Sequence, residues 1–155
     1  MTRTIDLTIY ALAQRYIGIA EMAGSADHPL IQWWLSLCGF PSDVHDEVPW
    51  CSAFVNGMAW ELRLPRSKSA AARSWLTVGR PVNLQDAEVG FDVVVISRGE
   101  EPQPGPDVLA APGHVGIYAG WEGGQVSLLA GNQGNAVSVE GFPLSRVLGI
   151  RRIFE

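Results

Sequence analysis

Apolar positions in the first third of the chain recur with the period of a helix. Ile5, Ile9, Leu12, Ala13, Tyr16 and Ile17 fall at helical spacing and Gly18 follows as a stop, so the chain is expected to open with a helix. A second helix is expected from Pro29, with Asp27 just before it, Ile31, Trp34, Leu35 and Cys38 as its stripe and Gly39 at its end. The third starts near Pro49, carries Cys51, Phe54, Val55, Met58 and Leu62 on one face and ends by Pro65. A fourth, "SAAARSWLTV", lies between Ser67 or Ser69 and Gly79. Beyond Pro81 the pattern changes to short β-type runs: "FDVVVIS" from Phe91, "HVGIYAG" from His114, "QVSLLAG" from Gln125, "AVSVE" from Ala136 and "VLGIRRI" from Val147. Helices followed by a meander of strands predict a single α+β domain over residues 1–155. Its N-terminal helices should pack on one side of a C-terminal antiparallel sheet of about five strands.

Between the first two strands lies "RGEEPQPGPDVLAAPG", with four prolines from Pro102 to Pro112. So many prolines exclude a strand or helix there, and a loop of this length in a compact domain is usually functional or mobile. Composition narrows the class. With 155 residues, 47% hydrophobic and 17% charged, the chain can build one real core, and no run approaches the roughly 18 apolar residues of a membrane span, so no membrane insertion is expected. The net charge of −5 argues against nucleic acid, and Arg63, Arg66, Lys68, Arg73 and Arg80 are spaced widely enough to read as a solvated face. In "MTRTIDLTIYALAQRYIG", polar Asp6, Gln14 and Arg15 interrupt any apolar region, so no secretory signal is read and synthesis in the cytoplasm is expected. Two cysteines, Cys38 and Cys51, allow one disulfide at most; reduced thiols are expected, with Cys38 packed in its helical stripe.

The residues that could carry chemistry are few. A thiol attacks only as thiolate, and the unpaired N–H groups at a helix start favour that form. Cys51 sits there, and the backbone N–H of Cys51 or Ser52 could hold an oxyanion. The same position also fits a thiol packed with Phe54, Val55 and Met58. A nucleophilic cysteine needs a base. Of three histidines, His28 and His45 read as surface residues, whereas His114 begins a strand between Gly113 and Gly116, with Val115, Ile117 and Ala119 on the other face. A third group must hold the imidazole in one tautomer, and Asn132, with Gln133 and Asn135 as substitutes, ends the next strand in "LLAGNQGNA". Those residues also suit a β-turn, which is compatible with the catalytic role. No zinc motif, phosphate loop, dinucleotide fingerprint or serine elbow is present in the sequence, and no metal or cofactor is expected.

"PWCSAFVNGMAW", "SAAARSWLTVGRPV", "GHVGIYAG" and "GNQGNAVSV" together resemble the papain-like cell-wall hydrolases, the NlpC-type peptidases and CHAP amidases, and more narrowly their small single-domain phage and bacterial members. The likeness runs from the first helix to the last strand. It implies a half-papain fold and hydrolysis of an amide bond in peptidoglycan, by an endopeptidase or an N-acetylmuramoyl-L-alanine amidase, through a thioester. By position it implies Cys51 as nucleophile, His114 as base and later acid, and Asn132 as the orienting residue. Trp50, Ser52 and Gln133 would contact substrate or oxyanion. Related CHAP domains more often have a carboxylate near the third position, which this stretch lacks, and "DVHDE" does not match the acidic calcium loop of some of them. The resemblance suits a monomeric endolysin released through a holin pore, or an antibacterial toxin carried by a secretion machine, acting on the cell wall. The different class is a non-catalytic wall-binding or structural module whose tryptophans form a glycan platform.

Overall fold

The structure, a computed structural model, describes residues 1–24, 26–46 and 48–154. Among the described residues three α-helices form: α1 Ile9–Gln14, α2 Pro29–Ser36 and α3 Cys51–Glu61. The first is shorter than the apolar stripe suggested, because Thr8 caps it, its hydroxyl accepting from the Ala11 N–H at 3.0 Å, and Ile5 and Ile17 are left exposed outside it. His28, expected on the surface, is partly exposed and caps α2 by accepting from the Leu30 N–H at 3.1 Å, with Pro29 in the first turn. Helix α3 is buried on all sides from Cys51 to Ala59, so it is a central helix and its sequence shows no polar face. The expected fourth helix is a 3₁₀ helix, Ala72–Thr77.

Among the described residues six strands form one antiparallel sheet: β1 Arg80–Val82, β2 Asp92–Ser97, β3 Gly113–Glu122, β4 Gln125–Gln133, β5 Ala136–Pro143 and β6 Val147–Arg152, in the order β1-β6-β2-β3-β4-β5. The five expected strands are all present. The sixth, β1, is a three-residue edge strand containing Pro81, a residue that marks a boundary in sequence and is tolerated only at an edge.

Alternation along the strands divides the core in two. Val93, Val95, Val115, Ile117, Leu129 and Val137 face the helices and pack with Trp34, Trp50, Phe54, Met58 and Trp75. Val94, Ile96, Tyr118, Val126, Leu128 and Ile150 face the other way, where Val82, Leu84, Phe142 and Leu144 cover them. A sheet covered on both faces reads as continuous apolar sequence, which is why all six residues of β2 are buried. At its end, Asp92 is buried and receives a bidentate pair from Arg152, Nε to Oδ1 and Nη2 to Oδ2, both at 2.8 Å, which ties β2 to β6.

Aromatic contacts seat α3. Trp34 of α2 stacks on Trp50 with ring centroids 5.9 Å apart and meets Phe54 edge-on at 5.0 Å. Trp50 lies against β4 only because residue 131 is glycine: a Cβ there would overlap the indole and come within 2.9 Å of the Phe54 Cβ. The β4–β5 hairpin turns at Gly134 and Asn135, both at φ 60°, the left-handed pair of a two-residue turn closed by Gln133 opposite Ala136.

Candidate active site

Cys51 is the first residue of α3, directly after the N-cap Trp50, rather than lying further into a helix begun at Pro49. The first bond of the helix runs from the Phe54 N–H to the Trp50 carbonyl at 2.9 Å, so the N–H groups of Cys51 and Ser52 precede the helical ladder. Cys51 is 3% exposed. Burial pushes the thiol pKa up, opposed by the N–H groups of Val115, Ser52 and Cys51 itself and by the charge of Arg98. The thiol is therefore neutral at pH 7, and its sulfur faces β3 at Val115, one residue from His114.

β3 is paired with β2 along its start, from Val93↔Ile117 to Ser97↔Gly113, whereas its pairing with β4 begins only at Ile117↔Leu129. Ahead of that point the register to β4 ends, with Gly116 still close against Ala130 and Leu128. The sulfur meets this end of β3 from the helix side, while His114 shares a face with Ile96 and Phe142, the Phe142 ring centroid lying 5.6 Å from that of the imidazole. Beyond the register, His114 Nε2 and Gln133 Oε1 are 3.0 Å apart, so a side-chain bond links β3 to β4 there.

That bond determines the tautomer. The Gln133 amide nitrogen donates to the Ser138 carbonyl at 2.8 Å and the Leu128 carbonyl at 3.3 Å, so its oxygen must be the atom facing the ring. Nε2 then carries the proton and donates, and the lone pair stays on Nδ1, which makes no hydrogen bond among the described residues. Burial lowers the His114 pKa; the Gln133 bond raises it in part, and the charges of Arg98 and Arg146 lower it further. His114, 6% exposed, is therefore neutral at pH 7.

The partner of His114 is thus Gln133 and not Asn132. A bulge between Ala130 and Gln133, with Asn132 in the left-handed region at φ 59°, inserts one residue into β4 and gives Gln133 the face that plain alternation assigns to Asn132. Asn135 lies in the turn. Gln133, offered by the sequence both as a substitute for Asn132 and as a substrate or oxyanion contact, is buried against the histidine.

Trp50 and Ser52 are also fully buried. The Trp50 indole N–H donates to Glu21 Oε1 at 2.9 Å, so its ring is a packing wedge, not the wall of an open cleft. The Ser52 hydroxyl donates to the Ser69 carbonyl at 2.6 Å and accepts from the Trp75 indole at 2.9 Å, so it is occupied within the core. Arg73, expected on a solvated face, is completely buried. The Glu47 of "DVHDE" lies outside the described residues; among those described, no group of three or more His, Cys, Asp or Glu side chains is arranged to hold a metal ion. Among them, too, no helix is long and apolar enough to cross a membrane.

No protein-family model matches the chain, and neither does any curated protein. Among solved structures it is similar to NlpC1 from Trichomonas vaginalis, with 18% sequence identity and a TM-score of 0.55 over 99% of this chain. The chain spans 47% of the length of that protein. The likeness and the helix-on-sheet architecture together give this chain the papain-like fold of an NlpC protein.

Proposed function

We propose that the chain is a cysteine-dependent hydrolase that cleaves an amide bond in peptidoglycan. The observation that supports this reading is a helix-start cysteine facing Val115, the residue next to a histidine whose tautomer Gln133 dictates. His114 Nδ1 takes the thiol proton, and the thiolate attacks the amide carbonyl carbon. Backbone N–H groups of Cys51 and Ser52 hold the oxyanion. Collapse expels the amine, which takes the proton back from His114, and leaves a thioester. Water, deprotonated by the same nitrogen, then releases the carboxylate and the thiol. The NlpC fold supports a wall peptide as substrate. A monomeric lytic enzyme that reaches the wall through a holin pore or a secretion machine, such as an endolysin or antibacterial toxin, fits this reading.

The test is digestion of purified peptidoglycan by the protein and by Cys51→Ala, followed by mass spectrometry of the soluble products. New amine and carboxylate ends from the first and none from the second are expected; identical outcomes would sink the proposal. The burial of the sulfur favours a second reading, a non-catalytic wall-binding module. Its glycan platform has limited material, since Trp34, Trp50 and Trp75 are buried while Trp60 and Trp121 are exposed. Sedimentation with intact peptidoglycan, undiminished in Cys51→Ala and without cleavage, would favour it.

A further inference from the structure

Arg73 is a fully buried cation, yet its partners are backbone carbonyls and not a carboxylate. Nε donates to the Pro112 carbonyl at 2.9 Å, and Nη1 lies 3.1, 2.8 and 3.1 Å from the carbonyls of Pro104, Gly105 and Val108. All four belong to the proline-rich connection between β2 and β3. Other hydrogen bonds of that connection among the described residues are local, from Val108 to Gly105 and from Gln103 to Glu100 and Glu101. Nη2 is buried without a partner. A buried, incompletely satisfied guanidinium is a costly way to fill space, and an apolar side chain would do that with less desolvation. What only the fork supplies is several fixed donors at once.

The position of the fork connects the two halves of the site. Arg73 belongs to the 3₁₀ helix whose Trp75 donates to Ser52, the neighbour of Cys51. At its other end it grips Pro112, two residues before His114. Gly113, between them, has no side chain where the arginine passes: a Cβ there would stand 3.1 Å from the Arg73 Cγ. From these contacts we infer that Arg73 is a positioning residue. It holds the β2–β3 connection and the first residues of β3 so that the His114 imidazole starts from a defined place relative to Cys51. The inference rests on the catalytic reading given above.

Arg73→Lys keeps the charge and loses the fork, and Gly113→Ala leaves the arginine but crowds its stem, which serves if the first variant does not fold. Two readouts are taken, amide hydrogen exchange and the pH profile of Cys51 alkylation. In both variants amides of residues 104–113 should exchange faster while those of α3 keep their protection. The alkylation rate at pH 7 should fall roughly 10- to 100-fold, the cost of a misplaced base, with the alkaline rise unchanged because a free thiolate needs no base. Wild-type alkylation at pH 7 in a variant whose loop has loosened, or a loop that stays protected, overturns the positioning role alone. A wild-type protein with no His114-dependent reactivity at pH 7 overturns the catalytic reading and this inference with it.

Discussion

His114 Nε2 donates to Gln133 Oε1 at 3.0 Å, and the Gln133 amide is in turn anchored on the carbonyls of Ser138 and Leu128. A glutamine so held cannot rotate its nitrogen toward the ring, so the imidazole keeps its lone pair on Nδ1. Gln133→Ala removes the anchor and lets the ring adopt the other tautomer. The expected result is a fall in kcat of roughly 100-fold, a large part of what a positioned base contributes, with KM little changed. ¹⁵N shifts of the His114 ring should show the Nε2–H form in the wild type and a mixture in the variant.

Stability should also depend on His114. Its folded pKa is lowered by burial, below the ordinary value of 6.5 that it regains on unfolding. The unfolded chain therefore binds more protons between the folded pKa and 6.5. This group's contribution is complete above that window and is lost as pH falls through it. Urea denaturation at pH 7.5 and pH 5 should show a loss of stability at pH 5 that is smaller in His114→Asn.

Asp92, fully buried, pairs with the partly exposed Arg152, which also meets Glu88 at 3.4 Å, and the pair joins β2 to β6. Removing the carboxylate with Asp92→Ala takes away the bidentate bond and the acceptor of the Glu88 N–H, and leaves the guanidinium to Glu88 and the Asp86 carbonyl. Denaturant titration should show a loss of about 1–3 kcal/mol, the usual cost of removing one partner of a charged hydrogen bond.

Gly131→Ala tests the seating of α3. The added methyl overlaps the Trp50 ring and crowds Phe54, so the helix start must shift off β4. Overpacking of this kind costs about 1–3 kcal/mol, and because the displaced element begins with Cys51, hydrolysis should fall by more than the folded fraction does. Activity measured at a temperature where the variant is fully folded separates the two effects.

Most of the architecture was legible because its signals are local. β-branched runs separated by turn residues marked all five of the longer strands, and proline and glycine bounded helices α2 and α3. Cys51 and His114 were legible for the same reason, one at a helix start and one at a strand start. Asn132 was ranked ahead of Gln133 as the partner of His114 because a single left-handed residue, Asn132 itself, reverses the alternation after it, and nothing in "AGNQGN" separates a bulge from a turn. Arg73 was misread because its partners are carbonyls some 30 to 40 residues downstream, and backbone acceptors leave no mark in a sequence. The three-residue strand β1 is too short for any periodicity.

The central claim is that Cys51 reacts through His114, and the pH dependence of Cys51 alkylation, mapped by peptide mass spectrometry in the wild type and His114→Ala, tests it most directly. Cys38 is half-buried, with its thiol pushed by burial up to about 11, and remains silent through neutral pH. Burial raises the Cys51 thiol above its ordinary 9.0, so without a base it should react only in alkaline solution. The account predicts a wild-type rate that climbs as His114 loses its proton below pH 6.5, holds a plateau through neutral pH and climbs again as the thiol ionises. In His114→Ala only the alkaline rise should remain. A single alkaline rise shared by both proteins would contradict it.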